Sequence, residues 1–296
     1  MKSIMTTAYR NKKYRIRILQ AGILTAVLFI LLAAPPSVPA REDNLQLGIP
    51  LFTEDIGMTA EFVDQLKELV RPDDIIFVRN EAQGIEFLKR FEHGRIAVTS
   101  YSLAGLREGL DLLTANKIKA HYLCYSPHLR PDSPTPVAEE QNLLWAVQEA
   151  RDLARKKSMQ LIVISDAARG LSAYGPKLAR LADMVGIDFQ QWQKLPTDEF
   201  RTRALAIIRS MRSENPDIKI LAQMSTIPPT GDVTFQGIRI FMAADIETMH
   251  AMFTLIAEDI DCLAFSIKTE REGLSLFMKF LKTIRPPAAD SRETAE

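Results

Sequence analysis

Histidine and cysteine are scarce in this chain of 296 residues, with four and two respectively. His93, His121, His128 and His250 are scattered and never fall at HExxH or HxH spacing, so the sequence offers no metal centre. No GxSxG turn is present for a serine nucleophile. No glycine-rich phosphate fingerprint follows an early strand-like run, which counts against an open dinucleotide-binding sheet. These gaps leave no cofactor to expect. Net charge is also missing, at 37 basic against 37 acidic residues. That balance hides a division. Residues 1–40 carry Lys2, Arg10, Lys12, Lys13, Arg15 and Arg17 and no acid, so the remainder is mildly acidic. An acidic body argues against a nucleic-acid partner.

The basic start runs into residues 18–34, an apolar stretch broken only by Gln20 and Thr25, and then into Pro35-Pro36-Ser37-Val38-Pro39-Ala40. A basic region, an apolar region and small residues at Val38 and Ala40 form a secretory signal with cleavage after Ala40. The rival is an uncleaved anchor, short for a span of ~20 residues but with basic flanks suited to an N-terminus kept inside. Either way the body is expected outside the cytoplasmic membrane, touching it only through the N-terminal segment. In an exported protein Cys124 and Cys262 could pair. They fall in the fourth and eighth strand-like runs, however, and a bridge needs Cα atoms within ~7 Å. Two buried thiols is the preferred expectation.

After residue 44 a short β-type run is followed by a helix-type run eight times. Residues 41–44 are a polar linker, and residues 286–296 a polar, proline-containing tail. Helix-type runs carry apolar stripes, such as Leu143, Val147, Ala150 and Ala154. The fifth strand run has an unbroken apolar centre at residues 161–164, which suits a parallel strand covered on both faces. Eight such units over residues 41–285 predict an α/β fold, a (β/α)8 TIM-like barrel preceded by the signal or anchor helix. Such barrels place their chemistry at the C-terminal ends of the strands. A short extra helix is expected at residues 235–243, and Thr135 is expected to cap a helix begun by Pro136.

The sixth strand run carries the most chemistry. If Val185, Ile187 and Phe189 face the helices, alternation turns Asp188, Gln190 and Trp192 toward the barrel axis and mouth. An acid, an amide and an indole are costly as plain core, because buried polar groups need partners. Amides and carboxylates bond sugar hydroxyls and an aromatic face stacks on a pyranose, so a carbohydrate cleft is one reading. A hydrogen-bonded polar plug is the other. The seventh run adds Gln223 and Ser225, the fifth ends at Asp166, and the fourth offers Tyr125 and His128. Arg79, Asn80 and Glu81 close the second run, where single polar residues usually serve structure. Glycosidic hydrolysis needs two carboxyl groups, ~5 Å apart in retaining enzymes and ~6.5–9.5 Å in inverting ones. Asp166 as acid and Asp188 as base or nucleophile are the only acids on neighbouring inward strand ends. The ends of the fourth and seventh runs carry no Glu, where many barrel glycosidases place theirs, and no DxxDxDxE pattern occurs. The expected partner is thus a carbohydrate or other small-molecule ligand, hydrolysed or merely bound. A non-catalytic envelope barrel that binds a ligand or protein is the alternative.

Val185-Gly186-Ile187-Asp188-Phe189-Gln190 and residues 215–226 (Asn-Pro-Asp-Ile-Lys-Ile-Leu-Ala-Gln-Met-Ser-Thr) resemble a class of exported, functionally uncharacterised TIM-barrel proteins. In that class too a Gln-bearing strand precedes a helix, an Asn-Pro turn and a strand ending in Ser-Thr. The resemblance spans about 45 residues and implies the barrel and export, with no catalytic residue. More loosely, such barrels are similar to glycoside hydrolases.

Overall fold

A computed structural model describes residues 45–51, 59–128, 134–168, 170–226, 234–235, 238–239, 245–266 and 271–285. The chain divides between Ala40 and Arg41, and every described residue belongs to the second part. The expected signal helix and the polar tail lie outside the described residues. Among the described residues, no helix is long and apolar enough to cross a membrane.

Eight parallel strands close into a barrel. In chain order they are β1 (Gln46–Leu51), β2 (Ile75–Val78), β3 (Arg95–Ser100), β4 (Tyr122–Tyr125), β5 (Gln160–Asp166), β6 (Met184–Asp188), β7 (Lys219–Ser225) and, after two short strands, β10 (Cys262–Ser266). Each pairs with the strand before it, and β10 pairs with both β7 and β1 to complete the ring. The helices between them are α1 (Ala60–Lys67), α2 (Ala82–Leu88), α3 (Leu103–Ala115), α4 (Val137–Gln141), α5 (Leu143–Lys156), α6 (Gly170–Leu181), α7 (Thr197–Glu214), α8 (Ile246–Ile256) and α9 (Arg271–Ile284). Side-chain caps fix three starts. Thr59 accepts the Phe62 N–H, Ser102 that of Gly105, and Asp245 that of Thr248 at 2.7 Å. The Thr248 bonds hold the Asp245 carboxyl below its ordinary range.

Two expectations need correction. Thr234–Phe235 (β8) pairs antiparallel with Ile238–Arg239 (β9), in place of the expected helix. Thr234, Phe235 and Ile238 are β-branched or aromatic, residue types that favour strand over helix. Thr135 does not cap α4. Its hydroxyl accepts the His128 N–H at 2.9 Å, tying the proline-rich loop back to the end of β4, and Pro136 occupies the cap position.

Strand alternation sorts the apolar residues into two sets. Val185, Ile187, Ile220, Ala222 and Met224 join the layer between barrel and helices. Ile75, Phe77, Ala97, Tyr122, Cys124, Ile162, Ile164, Met184, Leu221, Cys262 and Ala264 pack together inside the ring. The inner column is filled by pairing large side chains with missing ones. A Cβ on Gly48 would lie 2.7 Å from the Ala264 Cβ and 2.8 Å from Phe77, and one on Gly186 would lie 2.6 Å from Ile164. Cys124 and Cys262 are buried free thiols. Burial pushes the Cys124 thiol up to about 12, against the opposing pull of a Thr99 hydrogen bond and the Arg79 charge, so it stays protonated.

Acids stitch the base of the barrel. Just ahead of β2, β6 and β10 stand Asp74, Asp183 and Asp261. Their carboxylates accept the N–H groups of Leu47, Leu161 and Ile220 at 2.8, 2.7 and 2.9 Å, each on the neighbouring strand of the ring. Asp74 does more. Arg285, directly after α9, donates to both its oxygens at 2.5 and 2.8 Å and also to the carbonyls of Leu45 and Leu69. This fully buried pair joins the end of the last helix to the first two strands. Removing one partner strands a buried charge, so Asp74→Ala should cost about 3–5 kcal/mol in urea unfolding. The base also holds His121, whose Nδ1 accepts the Ile96 N–H at 3.1 Å. Burial, then Lys119 and Arg95, lower its pKa. The folded chain therefore binds fewer protons than the unfolded chain as pH drops below 6.5, and this contribution to stability is lost with falling pH. Thermal melts should show a smaller loss between about pH 7 and pH 5 in His121→Asn, whose amide oxygen can take the same N–H.

Candidate functional site

The column changes character toward the C-terminal strand ends. Above the apolar packing of Phe77, Ile162 and Ile164, the inward positions become Arg79 beyond β2, Thr99 on β3, Asp166 on β5, Asp188 on β6, and Gln223 and Ser225 on β7. This end is the catalytic face of such barrels.

Asp166 and Asp188 are register partners on adjacent parallel strands, and Gln223 is the partner of Asp188 on the next. Neighbouring strands lie ~4.8 Å apart, so the two carboxyl groups enter the mouth side by side. Asp166 is 8% exposed and Asp188 is half-buried. One oxygen of each has a local task. Asp188 Oδ1 accepts the Gln190 N–H at 2.9 Å, and Asp166 Oδ2 accepts the Gly170 N–H at 3.4 Å at the start of α6.

The Asp188 turn ends β6, and with it the alternation expected to run on to residue 192. Gln190, Gln191 and Trp192 form a single 3₁₀ turn. Gln190 is half-buried beside the mouth, off the strand. Trp192 is a correction. It packs outside the barrel wall, 5.9 Å from the Phe189 ring, with the Arg203 guanidinium of α7 over it at 5.8 Å. Tyr125 is likewise turned away from the mouth. It is fully buried under the helices, where its hydroxyl donates to Glu139 at 3.0 Å. Glu139 also accepts the Leu103 N–H at the start of α3. Burial, then the Glu139 charge, push the Tyr125 hydroxyl well above its usual range. Its neighbour Cys124 takes the inward position instead.

Gln193 goes unmarked in the sequence. Its side chain is 2% exposed and clamps the backbone of Ser225, accepting from the N–H at 2.6 Å and donating to the carbonyl at 3.1 Å. It thereby fixes the end of β7 against the turn after β6, holding Gln223 and Ser225 in place. The other side of the mouth is also richer than the sequence suggests. The Arg79 guanidinium donates to the Tyr101 hydroxyl and lies 4.7 Å from the centre of that ring. His128 packs on Tyr101 with ring centres 4.3 Å apart. Asn80, by contrast, turns outward to Glu108 at 3.1 Å. Only the inward parity of Ile75 and Phe77, carried two residues further, could have singled out Arg79. Among the described residues, no group of three or more His, Cys, Asp or Glu is placed to hold a metal ion.

No family model and no curated protein matches the chain. Solved structures do, at low identity. The spore cortex-lytic enzyme SleL of Bacillus megaterium QM B1551 superposes with a TM-score of 0.50 at 9% identity, over 79% of this chain and 73% of that one. The 3-hexulose-6-phosphate synthase of Salmonella typhimurium gives 0.49 at 15%, over 81% and 98%. An active-site mutant of a Rhizomucor miehei β-1,3-glucanosyltransferase, in complex with laminaritriose, gives 0.46 at 14%, over 75% and 86%. The likeness is one of fold. The chain is a (β/α)8 barrel, and the barrels it is similar to include glycoside hydrolases.

Tyr125→Phe separates frame from mouth. It leaves the buried Glu139 short of a donor and should lower unfolding free energy by about 1–3 kcal/mol, while the affinity of any mouth ligand stays as in the wild type.

Proposed function

We propose that the barrel binds a carbohydrate at its C-terminal mouth. The observation that carries this reading is the run of inward polar positions on β5, β6 and β7, two carboxylates and an amide side by side above a closed apolar column. Polar groups gathered at one end of a filled barrel are poorly explained by packing. Carboxylates and amides in a row are suited to a ligand made of hydroxyls. The same fold serves glycan-acting and sugar-phosphate enzymes alike, so the side chains support the reading and the likeness adds only the fold. Export through residues 1–40, by a cleaved signal or a retained anchor, belongs to the same proposal and would bring the mouth to envelope or extracellular glycans.

In the catalytic form of this reading, the more buried Asp166 donates a proton to the leaving oxygen and the more open Asp188 is the nucleophile. Their adjacency fits the ~5 Å separation of retaining glycosidases better than the wider inverting gap. The binding-only form is favoured by a different observation: one oxygen of each carboxylate accepts a local backbone N–H. Calorimetry of the full chain against neutral oligosaccharides of glucose, mannose, xylose and N-acetylglucosamine, with reducing-end assays in parallel, tests both. At least one oligosaccharide should bind, and Asp188→Asn and Gln223→Ala should each weaken it about tenfold, or ~1.4 kcal/mol. New reducing ends that vanish in both Asp166→Asn and Asp188→Asn establish hydrolysis. Binding without cleavage leaves a lectin-like barrel, and no binding by any sugar removes the proposal.

A further inference from the structure

The base of the barrel is unevenly charged. α3 and α5 pack side by side, and both end there. The loop after α3 carries Lys117 and Lys119 ahead of β4. The end of α5 carries Arg155, Lys156 and Lys157 ahead of β5. β4 and β5 are neighbours, joined at this end by the Gln160 N–H, which donates to the His121 carbonyl at 3.1 Å. All five cations are exposed, and among the described residues none of their side chains makes a hydrogen bond or an ion pair. Residues 112–121 and 153–160 contain no acid. The acids further back, Asp111, Glu149 and Asp152, stand a full turn or more from the helix ends, and Asp152 accepts the Gln148 amide at 3.1 Å. Elsewhere round the base the cations have acids beside them: Arg95 has Asp73, Arg180 has Glu214, and Arg212 has Asp259 and Asp261.

Helix dipoles stabilise cations in a last turn, but the effect fades beyond it. That accounts for Arg155 and Lys156 and leaves Lys119, four residues past the end of α3. Lys117 stands at φ 58°, in the left-handed region that suits glycine and strains other residues. The strain and the mutual repulsion of five cations are offset by no side-chain contact within the described residues. A surface of opposite sign would offset the repulsion. Leu45 leads the chain into β1 at this same end, and the apolar stretch of residues 18–34 is only ten residues upstream. A bilayer is therefore the polyanion that this end is placed to meet. We infer that the base of the barrel docks on an anionic lipid surface, with Lys117, Lys119, Arg155, Lys156 and Lys157 among the headgroups. Each such cation adds to the attraction, which salt screens. The docked barrel carries its mouth at the far end, away from the lipid, whatever the mouth binds.

The test uses the full-length chain in vesicles of phosphatidylcholine alone and of phosphatidylcholine mixed with phosphatidylglycerol. A membrane-impermeant amine reagent labels exposed lysines, and mass spectrometry reads each one. Labelling of Lys117, Lys119, Lys156 and Lys157 should fall about tenfold on the anionic vesicles. Lys194, exposed beyond β6 at the mouth end, should label equally on both. Raising salt to ~0.5 M should restore the base lysines. Lys119→Gln with Lys157→Gln should return Lys117 and Lys156 most of the way to their rate on neutral lipid. The comparison of the two lipids in the wild type needs no variant, so a folding defect leaves the test intact. Equal labelling of the base lysines on both vesicles overturns the inference, and so does a loss that extends to Lys194. The same protection from soluble glycerophosphoglycerol assigns a free-phosphate site and overturns it too. Protection by a polynucleotide with none by vesicles does likewise.

Discussion

Everything in this molecule depends on the limited room inside a closed ring of eight parallel strands. Each strand must give alternate side chains to an inner column with no space to spare. Gly48 and Gly186 have no side chain because Phe77, Ala264 and Ile164 already fill the positions a Cβ would take. The same constraint decides what the other face does. With Ile220, Ala222 and Met224 committed to the helices, Leu221, Gln223 and Ser225 have only the column left. The polar side chains of the inner face, Asp166, Asp188, Gln223 and Ser225 among them, accordingly stand at an end of the column.

The two ends are used differently. At the base, acids satisfy strand N–H groups, and Arg285 joins Asp74 to two backbone carbonyls across more than two hundred residues of chain. These bonds cross from strand to strand, so the base holds the ring shut. At the mouth, local bonds from Gly170, Gln190 and Gln193 hold Asp166, Asp188 and the Ser225 backbone in place.

The barrel is legible in the sequence because its signal is repeated eight times, and the facing of β6 because Asp188 marks the parity of an otherwise apolar strand. Tyr125 is misleading for the opposite reason. Tyr122-Leu123-Cys124-Tyr125 carries no charge to distinguish one face from the other, and the phenol's partner, Glu139, is fourteen residues away. Trp192 misleads because alternation stops where the Asp188 turn ends the strand, and nothing in the local residues announces that stop. Arg79 and Tyr101 look ordinary in isolation. Only the pairing of β2 with β3 brings the guanidinium over the ring. Gln193 leaves no mark at all, since an amide that clamps a distant backbone looks like any surface glutamine.

The C-terminal mouth, and no other surface, is where this barrel is proposed to meet its ligand. A crystal structure of the protein grown with a bound oligosaccharide tests that claim most directly. Sugar density is predicted in the mouth, within hydrogen-bonding distance of the β5 and β6 carboxylates and the β7 amide. Density on the outer helices or the base, or a mouth closed by the protein's own side chains bonded to one another, would contradict it.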